Sequence, residues 1–198
     1  MKKFELTTEF ITNAFGKKLF RIKALVEFGD VKAGELGGYV EKEGNVSQAG
    51  NAWVYGNARV SGDARVSGNA WVYGNAWVYG NARVYGDARV YGDARVYGNA
   101  EVSGNAEVYG DARVCGNAWV YGNADYALVQ GFGTEFRCTT FYRGKNKKIM
   151  VNCGCFHGDL ERFRKQVKET RNGKIAKEYL MIADLMEYHF TSEDSSDE

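Results

Sequence analysis

From Asn51 to Asn123 one six-residue motif, Asn/Asp-Ala-x-Val-y-Gly, recurs twelve times without an insertion, and this periodicity constrains the fold more than any other feature of the chain. Valine holds a single register from Val54 to Val120, with alanine two residues before each valine. A spacing of two places Ala and Val on one face of an extended segment and the x and y residues on the other. The Gly and Asn/Asp that follow tolerate left-handed backbone, so each hexad reads as a short strand and a corner. Because the corner chemistry never changes and no connection is longer, these strands cannot form hairpins. They coil in one direction and stack parallel on themselves.

The flanks have a different composition. All eleven phenylalanines lie outside the repeats, which predicts aromatic-cored units at both ends of a thin Val/Ala prism. Residues 1–50 hold two apolar-rich strands, Phe4–Ile11 and Leu19–Val26, and a degenerate coil start at 44–49, where Gln48 takes the place of valine. After the repeats at 51–124, residues 125–190 read as a ββαα cap. Two strands flank Gly144-Lys145-Asn146-Lys147, Gly158-Asp159 caps a first helix through Leu160, Phe163 and Val167, and a second helix runs through Ile175, Tyr179, Ile182 and Met186. The tail at 191–198, TSEDSSDE, carries four acids and is expected to be disordered.

Valine followed four residues later by alanine, as in Val54 and Ala58, resembles the pattern of the hexapeptide-repeat left-handed β-helix family. That resemblance implies a left-handed coil with three hexads per turn, hence about four triangular coils and a prism about 19 Å tall at ~4.8 Å per strand. The segments LFRIKAL, GDVKAGELGGYVE, GNAWVYGNA and NCGCFHGDLERF also resemble phage and prophage proteins that carry such repeats. This implies a phage setting but no activity.

Many members of the left-handed β-helix family are acyltransferases that use a coil histidine and a loop clasping the cofactor. The only histidines here are His157 and His189, both beyond the repeats, and no loop interrupts the hexads, so no enzyme activity and no cofactor are expected. One cluster has metal-ligand chemistry: Cys138, Cys153, Cys155 and His157. A two-residue turn at Lys145-Asn146 puts Cys138 opposite Cys153, with Cys155 and His157 following on the same face. The C-x-C-x-H spacing is not that of a common zinc knuckle, so these residues are expected to pack rather than bind metal.

With three hexads per turn, residues eighteen apart stack. One face then carries Trp53, Trp71, Arg89 and Glu107 beside Tyr55, Tyr73, Tyr91 and Tyr109, and it is the most aromatic of the three. Trp, Tyr and Arg anchor protein interfaces, so this face is expected to bind another copy, as a dimer or trimer, or a host protein. The 26 Lys+Arg against 25 Asp+Glu argue against a chain built to coat nucleic acid. Residues 135–190, however, hold twelve basic and seven acidic residues, and Arg143, Lys145, Lys147 and Lys148 are the candidates for a nucleic-acid contact. No run approaches the roughly 20 apolar residues of a membrane span, and MKKFELTTEF lacks the apolar run of a secretory signal, so a cytoplasmic location is expected. The functional expectation is a non-catalytic interaction protein, with inhibition of a host defence such as CRISPR–Cas as its most specific form. The alternatives are an acyltransferase-like enzyme with an atypical site and a nucleic-acid-binding accessory protein.

Overall fold

A computed structural model describes residues 1–145 and 147–191; Asn146 of the expected turn and residues 192–198 of the acidic tail lie outside the described residues. The fold is mainly β, with a parallel solenoid between an N-terminal strand region and a C-terminal sheet carrying two helices. Each hexad contributes a two-residue strand, from Trp53–Val54 to Trp119–Val120. The strands stack into three parallel sheets with partners eighteen residues apart, as in Trp53↔Trp71, Arg59↔Trp77 and Arg65↔Arg83. Every repeat alanine and valine from Ala52 to Val120 is 0% exposed. Burying one such valine contributes about 1.5–3 kcal/mol relative to leaving it in water, so twelve of them dominate the solenoid's cohesion. At the corners, side-chain amides run up the outside, from Asn51 to Asn69 (3.2 Å) and from Asn69 to Asp87 (3.0 Å).

The solenoid has about five turns rather than four. A strand at Leu36–Val40 pairs antiparallel with the preceding strand and parallel with Arg59–Val60, while Val46 bridges Val66. These first-turn residues lie twenty, not eighteen, positions from their partners, so the hexad rule misses Leu36–Val40 and, in the coil start at 44–49, puts Gln48 where Val46 is the residue that pairs with Val66. Gln48, out of place as a core residue, accepts a hydrogen bond from the Lys3 backbone N–H (2.7 Å) and donates to the Phe4 carbonyl (3.2 Å). It fastens the N-terminal strand to the coil.

The two expected N-terminal strands form at Phe4–Thr12 and Lys18–Ala24 as an antiparallel pair that continues one solenoid sheet. Phe4, Ile22, Ala24 and Val31 join the solenoid's hydrophobic core, closing its first end. At the other end Tyr126 and Tyr142 join the same core. Capping is required because an open coil would leave its Val/Ala interior wet.

The C-terminal unit has four antiparallel strands, not two: Tyr126–Phe132, Arg137–Arg143, Ile149–Cys153 and Phe156–Asp159. Helices Leu160–Thr170 and Gly173–Thr191 pack on them around Phe141, Val151, Phe163 and Met186. As the sequence predicts, Asp159 caps the first helix, accepting from the Arg162 N–H (2.9 Å). Thr191, assigned to the tail by sequence, lies in the second helix.

Candidate functional site

The aromatic face assembles in the expected columns. The Tyr73 and Tyr91 rings stack at 4.8 Å with an interplanar angle of 4°, and Tyr91 and Tyr109 at 5.4 Å and 17°. The order follows from the backbone, because the Tyr73 N–H donates to the Val90 carbonyl (3.0 Å) and fixes the rise between rings. Arg89 lies in register with Trp71 on one side and Glu107 on the other. Its guanidinium stands 3.5 Å from Glu107, whose carboxylate also accepts from the Tyr91 hydroxyl (3.1 Å). Burial pushes the Tyr73 and Tyr91 phenols up, and at Tyr91 the bond to Glu107 adds to the effect. Both hydroxyls are therefore neutral donors at physiological pH.

Tyr55 and Tyr109 are each 47% exposed, while Trp71 and Tyr73 are half-buried. Tyr55, Trp71, Tyr73 and Arg89 border a shallow cavity of about 500 Å³ with Asp30, Asn69 and Asp87. Asn69 and Asp87 are readable in the sequence as stacked corner residues. Asp30 carried no such signal, since it arrives from outside the repeats.

Trp53 departs from the expectation and is not part of this surface. It is 0% exposed, with edge contacts to the rings of Phe4 (6.1 Å) and Phe28 (5.3 Å). It holds the same repeat position as Trp71, but the N-terminal strands cover it. The accessible face thus begins at Tyr55 of the same hexad and, in the tryptophan column, one turn later at Trp71.

The cysteine cluster does not assemble as the two-residue turn implied. The Gly144 N–H bonds to the Lys148 carbonyl (2.9 Å) and Lys147 has φ +60°, so three residues, not two, close the hairpin. The extra residue shifts the register by one and pairs Thr139, not Cys138, with Cys153. The chain then reverses: Gly154 has φ +59° and Cys153 pairs with Phe156, leaving exposed Cys155 in the turn. His157, paired with Asn152, points elsewhere, its Nε2 standing 3.1 Å from the Tyr142 hydroxyl. Among the described residues no group of three or more His, Cys, Asp and Glu is placed to hold a metal ion.

A buried polar knot at this end escaped the sequence reading. The Tyr142 hydroxyl also meets the Cys115 thiol (3.3 Å), and the Asn152 amide donates to the Tyr97 hydroxyl (3.3 Å) and Cys115 (3.4 Å). Desolvation raises both phenols, that of Tyr97 to about 12. Cys115 occupies a y position that is serine or tyrosine in every other repeat, the one signal that could have flagged it.

Of the four basic candidates, three are ion-paired within the chain. Arg143 meets Asp125 (3.0 Å), Lys145 meets Glu101 (2.7 Å) and Lys148 meets Asp159 (3.6 Å). Lys147 is exposed. No described helix is long and apolar enough to cross a membrane.

Segments of the repeat tract, residues 52–68, 64–80, 76–92 and 82–104, match the YdcK Beta solenoid repeat. With the three-sheeted coil, this match supports a repeat β-helix family for these hexads. No curated protein matches the chain.

Proposed function

We propose that this chain is a non-catalytic protein-interaction protein whose solenoid presents a rigid aromatic face to a partner protein of the host cell. The observation that carries the proposal is the continuous array of Tyr55, Trp71, Tyr73, Arg89, Tyr91 and Tyr109, held in register by the backbone ladder. Aromatic and Arg side chains already ordered before binding lose little conformational freedom when a partner docks, which favours affinity. The finer parts of the proposal are a hexapeptide-repeat left-handed β-helix, a phage or prophage origin, action in the host cytoplasm and the blocking of a defence system such as CRISPR–Cas. The left-handed β-helix rests on the resemblance of the Val54/Ala58 pattern to the hexapeptide-repeat family, and the other parts on the phage setting implied by the resemblance of LFRIKAL, GDVKAGELGGYVE, GNAWVYGNA and NCGCFHGDLERF.

Affinity capture from host lysate with wild type, Trp71→Ala and Arg65→Ala tests this reading. A protein retained by wild type and Arg65→Ala but lost with Trp71→Ala supports it. Equal retention by all three refutes the face. Saturable binding of acetyl-CoA in calorimetry refutes the non-catalytic reading.

A further inference from the structure

The tyrosine ladder of the aromatic face is interrupted at its first rung. Tyr73, Tyr91 and Tyr109 stack on one another, but Tyr55, in the same column, makes no ring contact among the described residues. The Tyr73 ring is therefore stacked on one side only, and the cavity of about 500 Å³ opens at this gap, bordered by Tyr55, Trp71 and Tyr73. Two carboxylates, Asp30 and Asp87, border it as well. Asp87 ends a corner chain in which Asn51 donates to Asn69 and Asn69 to Asp87. Asp30 follows Gly29, where an added Cβ would lie 3.5 Å from the Asn51 side chain at the foot of that chain. Asn51 and Asp87 are two turns apart, about 10 Å at ~4.8 Å per strand, so the two acids flank the rung that carries Trp71.

Neither carboxylate has a lysine or arginine partner among the described residues. Arg89, the cation that also borders the cavity, engages Glu107 (3.5 Å) on the side away from Trp71. Resting on the reading of this face as a protein-binding surface, we propose that the cavity receives an arginine side chain of the partner. Ring faces attract a cation through their quadrupole, and the two unpaired carboxylates supply the opposite charge. Arginine suits the site better than lysine, because its planar, weakly hydrated guanidinium stacks on a ring while its forked donors reach carboxylate oxygens. The cavity falls within the size range of pockets that enclose a small molecule, enough for that side chain and the backbone carrying it. The same two acids repel phosphate, which disfavours a nucleic acid at this point.

The test titrates the blocked tripeptide acetyl-Gly-Arg-Gly-amide into the isotope-labelled full chain, with the same tripeptide carrying citrulline, a neutral molecule of the same shape, as comparison. The indole N–H signal of Trp71, identified by its loss in Trp71→Phe, is expected to shift saturably at millimolar arginine peptide and to stay in place with citrulline. Asp30→Asn and Asp87→Asn each weaken binding about two- to fivefold, the effect of removing one exposed ion pair. Asparagine at 87 preserves the corner, since the same column already carries Asn51 and Asn69. Asp93→Asn, at a corner outside the cavity, leaves binding unchanged. Equal shifts with citrulline, no saturable shift, or unchanged affinity in a chain carrying both Asp30→Asn and Asp87→Asn overturns the arginine site. The two readings fail separately. A host protein lost with Trp71→Ala but retained by the chain with both acids replaced sinks the arginine site alone, whereas arginine-peptide binding with no captured protein leaves the site standing and removes the host partner.

Discussion

Gly56 and Gly92 close two hexads with nearly the same backbone, φ +64° and +70°, yet alanine at the two positions meets different surroundings. The left-handed conformation costs an L-residue about 1–2 kcal/mol, offset by about 0.4–1 kcal/mol from the lower entropy of the unfolded alanine chain. At Gly56 a new Cβ lies 3.6 Å from the Gly74 carbonyl oxygen, an ordinary contact, so Gly56→Ala destabilises by about 1 kcal/mol. At Gly92 the Cβ lies 3.0 Å from the Gly110 nitrogen and 3.2 Å from its oxygen. That oxygen is held by the Asp93 N–H (3.0 Å), so relief requires weakening the ladder between turns. Overpacking of this kind adds about 1–3 kcal/mol, bringing Gly92→Ala to about 2–4 kcal/mol. Urea unfolding followed by tryptophan fluorescence measures both variants, with equal m-values as the condition for comparison. The backbone cost is common to the pair, so the difference isolates the stacking distance. Equal midpoints for the two variants would refute the argument that close approach of successive turns demands glycine.

Lys3 is 4% exposed, donating to the Gly50 and Ala52 carbonyls, and burial lowers its amine to about 8. Below pH 8 the amine is protonated in both states. Above it the unfolded amine binds more protons than the folded one, so the Lys3 contribution raises stability from about pH 8 until the phenols of the unfolded chain ionise near 10, against an opposing contribution from the Cys138 thiol, which burial pushes up. Tyr73, Tyr79, Tyr91, Tyr97 and Tyr142, all raised by burial, then reverse the trend, because they keep their protons in the folded state after losing them in the unfolded one. Denaturation at a series of pH values should show this maximum, and Lys3→Met should remove its rising limb; a steady fall from pH 8 contradicts the assignment. Tyr142→Phe deletes a fully buried hydroxyl that contacts Cys115 and His157 and is expected to cost about 1–3 kcal/mol in the same assay. An unchanged midpoint would show that the knot contributes nothing to holding the C-terminal unit on the solenoid.

The repeat tract was legible residue by residue. One local rule acts twelve times, so a residue's place in the hexad decides whether it points in or out, and the spacing of eighteen decides its neighbours. With the three-hexad turn that the family resemblance implies, the stacked columns at Trp71, Arg89 and Glu107 and the Tyr73–Tyr91–Tyr109 ladder follow from that rule, and the cap at Asp159 was legible separately because it needs only its own helix. What contact across the chain decides was not legible. Leu36–Val40 becomes a rung because it lies on Arg59–Val60, without any hexad of its own. Trp53 and Trp71 share a repeat position and differ in exposure because Phe4 and Phe28 cover only the first. One additional residue in the loop before Lys148 moves Thr139 opposite Cys153, and the reversal at Gly154 turns His157 toward Tyr142. The hexads therefore determined the scaffold and the order of its surface residues, since each rung repeats the chemistry of the last. Tertiary contacts alone decided which of those residues remain accessible and how the two ends close, because burial and register there depend on segments far apart in sequence.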